Sequence, residues 1–168
     1  MIEAMYYELT DHFIVKAGEK ETWDFFSTAE NLPAITPPWL AFKILTPEPI
    51  RIEGDSILDY TIKWFGLPIH WRTRIIDWAP PRMFIDLQLK GPYTLWHHQH
   101  TFTPSPEGII CTDRVIYQLP MGWLALPVQQ LIVRKQLLEI FRFRRKVIAD
   151  RLGWVRAVQE DVRIKRLR

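Results

Sequence analysis

The sequence lacks most of the residues and motifs by which enzymes are recognised. It has one cysteine, Cys111, so no internal disulfide can form, and a reducing, cytoplasmic compartment is expected. It has no nucleophile elbow, phosphate loop or dinucleotide fingerprint, and no organic cofactor is expected. Histidine is scarce, with five in the chain. The longest apolar run, "LPMGWLALPVQQLIV", is broken by two prolines and a glutamine pair, and is too short to span a bilayer. The opening "MIEAMYYELTD" has an early glutamate and no basic-then-apolar order, unlike a signal peptide. There is no internal repeat and no low-complexity tract.

What is present points to one globular domain. A chain of 168 residues is long enough to bury a real core. Eight Trp, nine Phe and five Tyr exceed what such a core needs, and thirteen prolines fall between apolar stretches. Charge is uneven. From Arg142 onward there are ten Lys/Arg against three Asp/Glu, a balance of +7 that leaves −4 on the rest. The simplest reading is a solvated helix end followed by a disordered tail; the sharper one is weak contact with anionic membranes. Arg72 and Arg74 are too few for a phosphate track, so no nucleic-acid partner is expected.

The order of elements follows from periodicity. "YYELTDHFIVKA" reads as a strand, "EKETWDFFST" and "AENLPAI" as two short helices, and "AFKILT" as a further strand. Strands then alternate with the breaks "FGLP", "APPR", "GPY" and "SPEG" up to Leu119. Beyond "LPMGW" the period becomes helical, through Val133, Leu137, Ile140, Phe141, Val147 and Ile148. Pro127 suits the first turn and Gly153 the C-terminal cap, giving a helix of about 25 residues. A curved antiparallel sheet wrapped around that helix is the compact way to bury its stripe.

Hairpin register then sets which side chains face inward. A turn at Gly66-Leu67 pairs Tyr60 with Thr73 and Ile62 with Trp71, leaving His70, Arg72 and Arg74 outside. A turn at Pro92-Tyr93 pairs Leu87 with His98 and Ile85 with His100. A turn at Pro106-Glu107 pairs Trp96 with Tyr117, His98 with Val115, and His100 with Asp113. Within "GPYTLWHHQHTF", His98 and His100 therefore face the apolar side, and His97 faces out. Buried polar groups need partners. A few of them among aromatics suit a ligand pocket.

The stretches "ETWDFFSTAENLPAITPPW", "IHWRTRIIDWAPPRMFIDLQLKGPYTLWHHQHTF" and "DRVIYQLPMG" resemble the START-like, helix-grip superfamily, also called SRPBCC, and within it the polyketide cyclase/dehydrase type. Gly18 departs from the proline such proteins often carry before the first helix. The resemblance covers residues 1–153 and leaves a basic segment, 154–168, outside it. It implies an α+β helix-grip fold: about seven antiparallel strands around a long C-terminal helix, two short helices after the first strand, and a cavity between sheet and helix. It also implies binding of a small hydrophobic molecule or lipid more often than catalysis.

In this reading Trp64, Trp71, Trp96 and Tyr117 supply apolar surface, with Leu87 facing His98. Tyr60, Thr73, His98, His100 and Asp113 are the polar anchors, and Leu137 and Phe141 close the cavity from the helix. The alternative is a cyclase or dehydratase in which His98, His100 and Asp113 perform acid–base chemistry. A metal held by these three is the least favoured reading, because no fourth histidine and no supporting shell can be identified from sequence. No metal is expected.

Overall fold

The computed structural model describes residues 4–50, 52–64, 66–155 and 161–167, without the side chain of Trp123. In chain order it contains β1 (Tyr6–Val15), α1 (Glu19–Phe26), two 3-10 turns (Ala29–Asn31 and Pro38–Leu40), β2 (Lys43–Ile44), β3 (Ile57–Trp64), β4 (Leu67–Ala79), β5 (Met83–Lys90), β6 (Leu95–Ser105) and β7 (Gly108–Gln118). A 3-10 turn (Gly122–Ala125) leads into an unbroken helical run: α2 (Leu126–Val128), a π segment (Gln129–Val133) and α3 (Arg134–Leu152). Strand β8 (Arg163–Arg166) follows. The sheet order is β2-β3-β4-β5-β6-β7-β1-β8, antiparallel throughout. No helix among the described residues is long and apolar enough to cross a membrane.

The helical run from 126 to 152 spans roughly 40 Å at 1.5 Å per residue. Val133, Leu137, Phe141, Ile148 and Leu152 lie buried along its sheet-facing stripe. Gly153 ends it with φ 84°, a backbone conformation that favours glycine. The helix and the sheet's concave face enclose two apolar clusters. One is built around Phe13, Trp23, Phe26, Phe84, Phe102 and Ile148. The other is built around Leu9, Trp71, Trp96, Tyr117, Leu137 and Phe141.

Three expectations need correction. The β3–β4 turn is tighter than the sequence suggests: Tyr60 pairs with Trp71 and Ile62 with Ile69, two positions from the expected partners. An even shift preserves facing, so Trp71 and Thr73 still point inward. The β5–β6 hairpin is displaced by an odd step, with Leu87 opposite His97, Asp86 opposite His98 and Phe84 opposite His100. That turns β5 over. Leu87 shares the outward face with His97, and Asp86 takes the inward place. The cause is local. Gln88 points inward and donates to the Tyr93 carbonyl at 2.7 Å, and Gly91 passes so close that a Cβ there would lie 2.4 Å from the Gln88 side-chain oxygen. The connection is a loop folded over Gln88, not a two-residue turn.

The third correction concerns the basic segment. Among its described residues, 163–166 add an eighth strand on the free edge of β1. Arg142, Arg145, Lys146 and Lys165 pair with Asp161, Asp11, Asp150 and Glu8. Of these acids Asp11 and Glu8 lie outside the basic stretch, so part of its +7 balance is matched by the body of the fold, and nothing here supports a membrane contact.

Candidate functional site

A band of polar side chains crosses the interior between the two apolar clusters. On each element the band residue lies between members of the two clusters. Asp11 lies between Leu9 and Phe13 on β1, and Asp113 between Cys111 and Val115 on β7. His98 and His100 lie between Trp96 and Phe102 on β6, and Thr73 between Trp71 and Ile75 on β4. On α3, Arg144 lies between Phe141 and Ile148, within the apolar stripe. Alternation on strands and the i, i+3/i+4 rule on the helix bring these positions to one level.

Four of these groups, His98, His100, Asp113 and Arg144, meet closely and are joined by Asp86 of β5. His98 Nε2 lies 2.9 Å from Asp113 Oδ1, and His100 Nδ1 lies 2.7 Å from the same oxygen. The other ring nitrogens face Asp86 Oδ2, at 3.4 Å from His98 Nδ1 and 3.0 Å from His100 Nε2. The two imidazole centroids are 3.9 Å apart. Arg144 Nε approaches Asp113 Oδ2 at 3.8 Å, and its guanidinium lies over the Phe26 ring. His98, His100 and Asp113 are buried.

Burial and charge oppose each other here. Burial pushes Asp113 upward, but Arg144 and His100 outweigh it and hold the carboxyl well below its ordinary value. Asp86 is likewise raised by burial, and more strongly lowered by His98, His100 and Arg144. Burial lowers His98, and the charge of His100 lowers it further, against the pull of both carboxylates. For His100 the carboxylates Asp113 and Asp86 overcome burial, and its pKa rises. The two imidazoles are thereby set apart, His98 biased toward its neutral form and His100 toward its charged form, between two carboxylates held ionised.

This cluster forms part of the wall of a cavity of about 210 Å³ between sheet and helix. Tyr60, Trp64, Trp71, Thr73, Trp96, His98, His100, Leu137 and Phe141 line it as the sequence suggests. Three candidates do not. Leu87 faces away with β5 turned over. Asp113 stands behind the histidines, touching the cavity through them. Tyr117 is fully buried, stacked on Tyr7 and accepting from Gln129 Nε2 at 2.8 Å. Asp86, Arg144, Tyr93 and Phe84 line the cavity and were not anticipated. Arg144 was detectable as a charge within the apolar stripe of the helix. Asp86 was masked because its neighbours Ile85 and Leu87 are apolar. Three cavity-lining groups, Trp71 Nε1, His100 Nδ1 and Arg144 Nε, have no hydrogen-bond partner among the described residues. For His100 the 2.7 Å approach to Asp113 is too bent to count as one. Cys111 is buried with its pKa pushed up by burial, the setting of an inert thiol.

The fold recurs widely. The protein TTHA0849 from Thermus thermophilus superposes with a TM-score of 0.68 at 15% identity, over 86% of this chain and 96% of that one. The di-domain ARO/CYC StfQ of the steffimycin biosynthetic pathway gives 0.69 at 16% identity, over 88% of this chain and 51% of StfQ, about half of the larger protein. Norcoclaurine synthase of Thalictrum flavum, in complex with dopamine and hydroxybenzaldehyde, gives 0.62 at 15% identity, over 88% of each chain. No curated protein matches by sequence. The family described as polyketide cyclase / dehydrase and lipid transport matches residues 15–141, from the last residue of β1 through Phe141 on the gripped helix. With that match over most of its length, the chain belongs to this family.

Proposed function

We propose that the protein binds a small hydrophobic molecule of one or two fused rings, with an acceptor oxygen at one end, between the sheet and the long helix. The observation that carries this is an aromatic-walled cavity of about 210 Å³ whose lining residues Trp71, His100 and Arg144 carry buried nitrogens without a hydrogen-bond partner among the described residues. An apolar cavity of ~150 Å³ already takes benzene, so the space suits a compact guest better than a long acyl chain. Trp71, Trp96 and Tyr93 contact one another edge-on or tilted and offer ring faces to the guest's apolar body. His100, Arg144 and the Trp71 indole N–H meet its oxygen. The related norcoclaurine synthase was captured with single-ring molecules, which supports this size class. The buried lone cysteine suits a reducing, cytoplasmic setting. Native mass spectrometry of freshly purified protein, followed by organic extraction, tests the reading. A co-purifying small apolar molecule is expected; uniformly ligand-free protein that also ignores a naphthalene carboxylate in Trp fluorescence titrations would sink it.

A second reading is favoured by one arrangement. Burial biases His98 toward its neutral form beside His100, whose pKa is raised, and His98 is hydrogen-bonded to Asp113, as a general base would be. In a cyclase or dehydratase reaction His98 would take a proton from the guest while Arg144 and His100 stabilise the oxygen that gains charge. Extraction separates the readings, since a carrier returns its guest unchanged and an enzyme returns product.

A further inference from the structure

The sequence alone argues against a metal, because no supporting shell can be identified from it. The structure supplies that shell. His98 and His100 each turn one ring nitrogen to Asp113 Oδ1, at 2.9 and 2.7 Å. Asp113 is itself buried and neutralised by Arg144 on its other oxygen. A carboxylate behind a histidine, fixing its tautomer, is the usual companion of a metal-ligating imidazole. Here one carboxylate hydrogen-bonds His98 and lies against His100.

His98 Nε2 hydrogen-bonds Asp113 at 2.9 Å, which leaves the His98 Nδ1 lone pair facing Asp86 Oδ2; His100 Nε2, hydrogen-bonded to the same Asp86 oxygen at 3.0 Å, would offer its lone pair once an ion replaces the proton between them. The ligand-capable atoms of Asp86, His98 and His100 all lie within 4.8 Å of one another. Metal–ligand bonds of about 2.0–2.1 Å set neighbouring tetrahedral ligand atoms about 3.4 Å apart. Asp86 Oδ2 stands 3.4 and 3.0 Å from the two nitrogens, close to that spacing. Three electron-rich atoms converging in a buried site repel one another unless a positive species sits among them. In the protein alone that species is a proton.

We propose that Asp86, His98 and His100 form a binding site for a divalent transition-metal ion, Zn²⁺ being the reference case, with Asp113 as the group that positions both imidazoles. Two histidines and one carboxylate make a three-ligand set with an open position, the arrangement of reactive rather than structural sites. All three ligands line the cavity, so the open position faces the guest. With Asp86 ionised, the ion leaves one positive charge in the ligand set. An anionic oxygen, a carboxylate, phenolate or enolate, is the class of donor that completes it. This inference concerns the same cavity as the proposed function but does not require the guest to be known.

The test uses untagged full-length protein stripped with chelator and dialysed. Titration with Zn²⁺ by calorimetry, and with Co²⁺ by visible absorption, is expected to show one equivalent bound, with ligand-field bands of a low-coordinate site. His98→Ala, His100→Ala and Asp86→Asn should each weaken binding at least 100-fold. Asp113→Asn should weaken it about 10–100-fold while keeping the same bands. His97→Ala, on the outward face, should leave it unchanged. Should the buried variants misfold, the wild-type protein still decides: Zn²⁺ should shift the imidazole NMR signals of two histidines of the five. Wild-type protein that takes up no stoichiometric ion, or that binds through other histidines, overturns the inference. Protein that takes the naphthalene carboxylate but no metal overturns this site alone and leaves the proposed function standing.

Discussion

Asp113 illustrates how one side chain organises several others. It is buried, ionised, and shared by two imidazoles and a guanidinium. His98 and His97 are adjacent in sequence and opposite in role. Removing the buried hydrogen-bonding ring should cost ~1–3 kcal/mol of guest affinity, about 5- to 150-fold. His98→Ala is therefore expected to weaken binding of the naphthalene carboxylate in Trp fluorescence titrations, with His97→Ala near wild type; equal losses would mean the facing assignment is wrong. Asp11 gives a second expectation. Burial and the charge of Asp113 raise its pKa to about 7, despite Arg145 at 2.9 Å. An unfolded aspartate titrates near ~3.9. Between those values the folded protein keeps a proton that the unfolded chain has released, so this group's contribution to stability falls as pH rises from about 4 to about 7. Thermal unfolding of Asp11→Asn across that window should lack this part of the decline, and superimposable pH profiles for the two proteins would refute the assignment.

Among the elements, β5, β8 and the helix start matter most. Strand β5 carries Ile85, Leu87 and Leu89 outward, with Leu89 well exposed, and Phe84 and Asp86 inward. Alternation by itself therefore selects the wrong face of β5, and only the loop over Gln88 decides it. Strand β8 buries Val162 and Ile164 in the second apolar cluster and covers the edge of β1. Ending the chain after Gly153 should remove about 3–6 kcal/mol for those two side chains and leave a ten-residue β1 edge unpaired. A lower unfolding temperature by calorimetry and a larger species by size-exclusion chromatography are expected. A truncated protein that melts with the full chain would show that the strand is not part of the stable fold. One turn into the helical run lies a π segment in which buried Gln129 donates to Tyr117. Such segments are frequent at functional sites, and this one holds the helix at the end of the cavity lined by Val133 and Leu137.

At the scale of the molecule, the polar band separates two apolar clusters that would otherwise be one core. Guest binding should therefore stabilise the whole fold, because it fills the space beside the band. A naphthalene carboxylate at 100 times its dissociation constant adds ~2.7 kcal/mol. For a chain of this size that corresponds to an unfolding midpoint about 5–10 °C higher. Differential scanning fluorimetry against increasing probe checks this, and an unmoved midpoint at saturating probe would contradict it. Trp71→Ala should lower stability by ~3–5 kcal/mol, as removal of a large buried aromatic does. It should also weaken the guest more than Trp39→Ala, whose ring is half-exposed and outside the cavity.

The sequence determined by itself whatever depends on local period and turn chemistry. The strand–helix order and the long helix ending at Gly153 follow from the change of hydrophobic period, and the inward facing of Trp96, His98 and His100 opposite Tyr117, Val115 and Asp113 follows from alternation across one short turn. It did not determine what depends on distant segments meeting. Asp86 enters the site because the loop folded over Gln88 resets one hairpin by a single step. Arg144 enters because a helix stripe crosses the sheet at the level of the band. Residues 163–166 become a strand because β1 has an open edge to pair with. Charge and hydrophobicity along the chain are indifferent to these meetings, since each is set by the packing of elements far apart in sequence.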